Sequence, residues 1–271
     1  MSIADAAVQL AAPNAAGVAM GHLHYTVRDI AANRDFWVRL GGTAIAVRSP
    51  GDAVKFADVL VLLTEGEYAG NSEASVLNHI AFRVRTFAEV EAAGFAIKRL
   101  EAYPGVGYIY TPEHERVEIF ENAALNLTFT QEPGFNDAAA QRHNRPITVP
   151  AIFHHAHLYL PDEGAVAESK AWYTKLFGGI PGKRSTYEAT DLPGVNFNFS
   201  VAPRPTSPTK GRMLGHIGFE VAGLEAFCQK LEGMGVTFDS PYSPGSMGVA
   251  TAFLTDPWGT HLALTEGLRR F

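Results

Sequence analysis

Cysteine and basic residues are both scarce in this sequence of 271 residues. Its single cysteine is Cys228, and its 22 Lys and Arg are outnumbered by 28 Asp and Glu, which gives a formal net charge of −6. One cysteine excludes an internal disulfide framework. Because an acidic chain without a basic run lacks the electrostatic footprint of a nucleic-acid-binding protein, we expect no nucleic-acid partner.

Long apolar runs are also missing. No stretch approaches the roughly 18 apolar residues of a membrane-spanning helix, so we expect no membrane partner. Residues 1–19 are rich in alanine but lack the basic start and continuous apolar core of a signal peptide. The compartment is therefore left open: cytoplasmic, or periplasmic or secreted if a leader has been removed.

A short apolar motif that begins with histidine, here called the histidine phrase, occurs four times. The copies are His22-Leu-His-Tyr-Thr-Val, His79-Ile-Ala-Phe-Arg-Val, His155-Ala-His-Leu-Tyr-Leu and His216-Ile-Gly-Phe-Glu-Val. An internal repeat of this length indicates stacked or paired structural units. Because an imidazole stands at the same place in each copy, these histidines are also candidate metal ligands.

The repeat divides the chain into modules of about 50 to 60 residues, at 20–69, 76–130, 150–202 and 212–268. Each begins with a strand of alternating polarity, continues with an amphipathic helix and ends with about three strands. In the first module Asp29 is the expected N-cap, the helix stops at Gly41-Gly42, and Phe56–Leu63 is one strand-like run. Asp162 and Gly178-Gly179 are the equivalent helix start and stop signals in the third module.

The polar segment 131–149 is predicted to be a linker, and residues 1–19 a tail. One module has too small a core to fold alone, so we expect neighbouring modules to pair. The first two would form a domain over 20–130, and the last two a domain over 150–271. The similarity of the first and third modules suggests duplication of a two-module unit.

Three features together resemble the vicinal oxygen chelate superfamily, which includes glyoxalase I, bleomycin-resistance proteins and extradiol dioxygenases. They are the strand-opening histidines, the aromatic pairs Phe36-Trp37 and Trp172-Tyr173 before Gly-Gly, and the turn Asp256-Pro-Trp-Gly. The resemblance implies an α+β fold of four βαβββ modules, paired into two open-barrel domains. It also implies a small-molecule substrate. With four modules, the chain can be a monomer or a homodimer.

The same resemblance implies a metal site made from first-strand histidines and a carboxylate on a last strand. Seven residues after Thr111 of the second module's turn comes Glu118, so His22, His79 and Glu118 are the expected ligands of a divalent metal, whether Fe, Mn, Zn or Ni. The same count from Asp256 reaches Ala263, which cannot bind metal. An all-histidine site from His155, His216 and His261 is an alternative.

Residues near the expected metal suggest two kinds of chemistry. Tyr108 or His24 would act as the acid or base, and Arg116, Tyr103 and Tyr110 would bind substrate, although Arg116 could instead pair with Glu118. Tyr108 occupies the position of an extradiol tyrosine, yet Leu100–Pro104 lacks the histidine expected before it. Extradiol-type oxygenation and glyoxalase-like lyase or isomerase chemistry therefore both remain open. The alternative is a metal-free protein that binds or sequesters a small molecule.

Overall fold

The structure is a computed structural model that describes residues 9–46, 52–121, 129–130, 146–245 and 248–271. Each of the four modules follows the predicted order of strand, helix and three strands. The first consists of β1 (Val18–Val27), α1 (Ile30–Arg39), β2 (Thr43–Ala46), β3 (Asp52–Phe56) and β4 (Val59–Glu65). The second consists of β5 (Leu77–Val84), α2 (Phe87–Ala92), β6 (Lys98–Arg99), β7 (Val106–Tyr110) and β8 (Arg116–Glu121), and is followed by the short strand β9 (Phe129–Thr130).

The last two modules repeat this order. The third consists of β10 (Ala151–Leu160), α3 (Glu163–Phe177), β11 (Ile180–Arg184), β12 (Tyr187–Leu192) and β13 (Val195–Val201). The fourth consists of β14 (Leu214–Val221), α4 (Leu224–Gly233), β15 (Ser240–Ser243), β16 (Ala250–Thr255) and β17 (His261–Glu266). Two 3₁₀ turns, Ser72–Ala74 and Leu268–Arg270, complete the regular elements of the described chain. None of its helices is long and apolar enough to cross a bilayer.

The capping residues of the first and third modules confirm the predicted helix ends. Asp29 accepts a hydrogen bond from Ala32 N at 2.9 Å, and Asp162 accepts one from Ala165 N at 2.8 Å, so each carboxylate satisfies a free amide of the first helical turn. Gly178 ends α3 with φ of 69°, in the left-handed region where glycine pays no steric penalty.

The predicted single run Phe56–Leu63 is wrong, because the chain turns within it. β3 and β4 pair antiparallel, with Phe56 opposite Val59, and Asp58 takes a φ of 70° in the tight connection between them. Aspartate enters the left-handed region more readily than most residues, so it can turn the chain here. The run of apolar residues on both sides of Asp58 conceals this turn in the sequence.

The strands form two large sheets, and each sheet combines modules from both halves of the chain. The first sheet has the order β15-β16-β17-β14-β1-β4-β3-β2, and the second has the order β6-β7-β8-β5-β10-β13-β12-β11-β9. The first and fourth modules are joined by β1 and β14, and the second and third by β5 and β10, both antiparallel. The expected pairing of neighbouring modules is therefore wrong. Hydrogen-bonded strands need only meet in space, and the chain order of the modules does not determine which ones do.

Helices α1 and α3 contact both sheets and share one continuous core with them. The Trp37 ring of α1 lies 6.1 Å from Phe56 of the first sheet and 5.8 Å from Phe82 of the second. On α3, Phe177 lies 4.7 Å from Phe219 of the first sheet. These aromatic side chains confirm the helical packing stripes and hold the two sheets in fixed relation. The predicted linker falls mostly outside the described residues.

Candidate metal centre

Three neighbouring strands of the second sheet bring two imidazoles and one carboxylate together. β5 carries His79, the parallel strand β8 carries Glu118, and the antiparallel strand β10 carries His155. One oxygen of Glu118 lies 3.4 Å from His79 Nε2, and the other lies 3.6 Å from His155 Nε2. All three side chains are almost wholly enclosed, so their polar atoms face one another rather than solvent.

A third imidazole, His157, adjoins this group. Strand side chains alternate, so His157 projects from the same face of β10 as His155. His79, His155 and His157 each offer one ring nitrogen within 4.8 Å of the other two. The Nε2 of His157 also lies 2.8 Å from Ser200 Oγ. We refer to His79, Glu118, His155 and His157 as the histidine–glutamate cluster.

The protonation of His79 is determined by its neighbour Asn78. The Asn78 amide oxygen accepts a hydrogen bond from Arg116 Nη2 at 2.6 Å and lies 2.9 Å from His79 Nδ1. Because a guanidinium can only donate, the amide oxygen faces it, and His79 Nδ1 must be the second donor. A neutral His79 ring therefore directs the lone pair of Nε2 into the cluster.

His155 has the same tautomer for a different reason. Its Nε2 accepts a hydrogen bond from Arg184 Nη2 at 3.4 Å, while its Nδ1 lies 3.0 Å from His154 Nδ1. The proton of the neutral ring is therefore on Nδ1, and Nε2 carries a lone pair. Two unprotonated ring nitrogens and a carboxylate thus converge on one point.

Burial keeps the histidines of the cluster neutral. It lowers the pKa of His79 to about 3, assisted by the nearby guanidinium groups of Arg116 and Arg184. It also lowers the pKa values of His155 and His157 well below the usual range. Burial raises the pKa of the Glu118 carboxyl to about 7, against the opposing effect of Arg184 and Arg116. Neutral imidazoles are the form that binds a metal ion.

These residues fit a divalent metal. His79 Nε2 is buried and has no hydrogen-bond partner among the described residues, which is costly for a polar atom unless a ligand satisfies it. Two or three imidazoles with one carboxylate form a donor set suited to Fe, Mn, Zn or Ni. The Asn78 contact is the outer-sphere hydrogen bond that metal-binding histidines usually make.

A buried arginine lies next to the cluster. Arg184, at the end of β11, is only 7% exposed, and its Nε donates to the Asn198 amide oxygen at 2.6 Å. Burial lowers the pKa of its guanidinium, while Glu118 acts in the opposite direction. Asn198 and Glu118 occupy equivalent positions in their modules. Each lies opposite the residue that comes two places after the first-strand histidine: Asn198 lies opposite His157, and Glu118 lies opposite Ala81. An amide thus occupies the position of a second carboxylate.

Aromatic rings wall the approach to the cluster. Tyr159 and Tyr187 each lie 4.9 Å from the His157 ring, and the Arg116 guanidinium stacks over Tyr108 at 4.8 Å. Burial raises the pKa of Tyr108 to about 12, so its phenol keeps its proton at neutral pH. A cavity of about 130 Å³, lined in part by Asn78, Arg116 and Tyr159, opens beside this wall.

The predicted substrate-binding residues Tyr110, Tyr103 and Arg116 differ in their exposure and in their contacts. Tyr110 follows Tyr108 on the same face of β7, opposite Arg116, and is 38% exposed. Tyr103 lies in the turn before β7 and is 61% exposed. Arg116 donates to Asn78 and, at 3.3 Å, to Glu73, so within the described chain it does not form the alternative salt bridge with Glu118.

His22 and His24 lie in the first sheet, away from this cluster. His22 Nε2 lies 3.2 Å from His216 Nε2, while His24 stacks on His216 at 4.5 Å and contacts Thr64 Oγ1 at 2.9 Å. The expected set of His22 with His79 and Glu118 is therefore not brought together, and neither is His24 with Tyr108. The reason is the module pairing: β1 joins β14, and β5 joins β10.

The first sheet has no carboxylate at either position equivalent to Glu118. His24 comes two residues after His22, and the residue opposite it is Leu62. Gly218 comes two residues after His216, and the residue opposite it is Ala263. The all-histidine alternative is also not assembled, because His155 lies in the second sheet while His216 and His261 lie in the first.

Sequence reasoning missed His155 and His157 as partners of His79, as well as Arg184. The histidine phrase identifies the first two, but they were assigned to another domain because modules were paired in chain order. Arg184 belongs to no repeat, and nothing in the segment Pro181-Gly-Lys-Arg distinguishes it from a surface cation. Only the register of β11 beside β12 places it inside.

Comparisons with known proteins agree with the fold. Residues 138–264 match the family model of the Glyoxalase/Bleomycin resistance protein/Dioxygenase superfamily. This region, just under half of the chain, is therefore similar to that superfamily, which is also called the vicinal oxygen chelate superfamily. No curated protein matches the chain.

Solved structures extend the same fold over nearly the whole chain. Glyoxalase I from Zea mays is similar with a TM-score of 0.61 and 14% identity, over 92% of each chain. A proposed dioxygenase from Bacillus subtilis is similar with a TM-score of 0.61 and 12% identity, over 95% of this chain and 86% of that one. At such low identity the likeness shows the fold and leaves the reaction to the residues of the site.

Proposed function

We propose that this protein is a divalent-metal-dependent enzyme that binds a small organic substrate through vicinal oxygens. The metal ligands would be His79, His155 and Glu118, with His157 next to them. The observation that carries the proposal is the convergence of His79 Nε2 and His155 Nε2 on the two Glu118 oxygens, at 3.4 and 3.6 Å. A divalent ion bound here would supply Lewis-acid stabilisation of a developing enolate or catecholate.

The chain's own residues support a division of roles around that ion. Tyr108, which keeps its proton at neutral pH, would donate a hydrogen bond or a proton to the substrate. Arg116, which lines the cavity, and the exposed Tyr103 and Tyr110 would bind the substrate body. His24 is not part of this proposal because it lies in the first sheet. Extradiol-type oxygenation and glyoxalase-like lyase or isomerase chemistry are the two reaction classes proposed, and monomer or homodimer stays a prediction.

A metal titration tests the proposal. Protein purified without chelator is analysed for metals, and the metal-stripped form is then titrated with Fe(II), Mn(II), Zn(II) and Ni(II) by calorimetry. Because His79→Ala removes a ligand, it should weaken binding by more than the roughly 10–100-fold cost of losing an outer-sphere partner. His22→Ala is the matched control, since it removes a buried histidine of the same repeat from the other sheet. It should leave the metal affinity within about threefold.

Two results would contradict the metal assignment. One is affinity that is the same in wild type and His79→Ala. The other is affinity that His22→Ala abolishes while His79→Ala does not. Absence of binding of any of the four metals to wild type would favour the metal-free alternative, in which the cavity binds or sequesters a small molecule.

A further inference from the structure

The cluster contains more positive than negative charge once a metal is bound. Arg184 is buried, with only 7% of its surface exposed. Among the described residues it forms no salt bridge with a carboxylate. Its hydrogen-bond partners are the neutral groups Asn198 and His155. A divalent ion would add two positive charges nearby, and Glu118 is the one carboxylate of the histidine–glutamate cluster. An uncompensated cation in a buried site is strongly unfavourable.

An anionic ligand group would remove this imbalance. Arg184 Nη2 lies 3.4 Å from His155 Nε2, the atom that would bind the metal, so an anion held by Arg184 would lie close to the ion. A guanidinium pairs best with a flat group that has two oxygens, and a carboxylate matches its geometry. The neighbouring rings of Tyr187 and Tyr159 favour a flat ligand body.

We propose that the substrate is a small, flat carboxylate whose chelating oxygens lie next to the carboxylate group, and that Arg184 binds that group. This inference rests on the proposed function, because it names the substrate class of the same site. Arg116 is the less suitable anchor. Its guanidinium already donates to Asn78 and Glu73, and it stacks on Tyr108.

A pair of matched probes tests the inference. 2,3-Dihydroxybenzoate and catechol share a ring and vicinal oxygens and differ by one carboxylate. Their dissociation constants are measured on the zinc-loaded protein, since Zn(II) has no redox chemistry to consume them, and zinc content is checked after each titration. Wild type should bind 2,3-dihydroxybenzoate about tenfold or more tightly than catechol, because a charge-assisted contact is gained.

Three variants assign the effect to one arginine. Arg184→Gln should reduce the preference to about one while zinc affinity stays equal or rises, since a repelling cation is removed. Arg184→Lys, which keeps the charge without the planar fork, should retain part of the preference. Because Arg116 would contact the ring that both probes share, Arg116→Gln should weaken both alike and leave the preference in place. Thermal unfolding of each variant verifies that it is folded.

The results distinguish the inference from the function on which it rests. If zinc binds but Arg184→Gln keeps the full preference, or if Arg116→Gln alone abolishes it, the carboxylate assignment is overturned and the metal enzyme remains. If wild type binds no zinc, yet shows a preference that depends on Arg184, the proposed metal function fails and the carboxylate assignment stands.

Discussion

Asn78 determines the state of the imidazole beside it. Its amide oxygen receives hydrogen bonds from Arg116 Nη2 and His79 Nδ1, which leaves the His79 Nε2 lone pair facing Glu118. Its amide nitrogen donates to Glu73 O at 2.8 Å, which holds the amide in this orientation. The side chain contributes no ligand itself, yet it positions the ring and selects its tautomer.

At this scale we predict that Asn78→Ala weakens metal binding by about 10–100-fold, because His79 loses the acceptor that orients it. Asn78→Asp should retain or strengthen binding, since it keeps an acceptor oxygen at the same place. Calorimetric titration of both metal-stripped variants measures the difference. Equal affinities for Asn78→Ala and wild type would mean that Asn78 has no role in orienting the ligand.

His79 could be identified as a site residue from the sequence because its position repeats, and Glu118 because the family resemblance implies a carboxylate at its place. His79 and Glu118 were both predicted, and they meet in the structure at 3.4 Å. Arg184 could not be predicted in the same way. Its burial depends on the packing of β11 against β12, and lysines and arginines in short strands usually face solvent.

Among the elements, β14 differs from its counterpart β5 at one position next to a histidine. Gly218 lies opposite His22, and Ala81 lies opposite His155. A methyl group on Gly218 would overlap the His22 ring, whereas Ala81 already has one. The first sheet therefore depends on a glycine to accommodate its histidine, and the second does not.

We predict that Gly218→Ala lowers the free energy of unfolding by about 1–3 kcal/mol, because the extra carbon overpacks a buried strand pair. Gly233→Ala is the control: it lies at the end of α4 with open space around its Cα and should be neutral or slightly stabilising. Urea denaturation measures both.

A metal titration of the same Gly218→Ala variant should match wild type, because the histidine–glutamate cluster belongs to the other sheet. Stability unchanged by Gly218→Ala would contradict the tight contact with His22. Loss of metal affinity would mean that the first sheet contributes to metal binding at the histidine–glutamate cluster.

Across the whole molecule, the crossed pairing of modules makes the two halves of the chain interdependent. Each half contains one module of each sheet, so neither half has a complete sheet. Separation of the halves would expose the joining edges of β1 and β5 in one and of β10 and β14 in the other. Unpaired, apolar strand edges tend to aggregate or to find another partner.

We predict that residues 1–130 and 131–271, produced separately, do not unfold cooperatively, while their co-expression yields a folded complex. Near-ultraviolet circular dichroism and thermal unfolding report on each half, and co-purification reports on the complex. A cooperative transition in one isolated monomeric half would mean that neighbouring modules can pair as the chain order suggests.

The sequence by itself determined the modules, because local signals specify them. Alternating polarity defines the strands, Asp29 and Asp162 begin helices, and Gly178 ends one. Only the tertiary structure decided which modules pair. Each module presents a similar first-strand edge, so no local preference separates the two pairings, whereas packing of α1 and α3 between both sheets depends on all of them at once. That decision replaced His22 with His155 beside His79 and Glu118, and it enclosed Arg184 in the site.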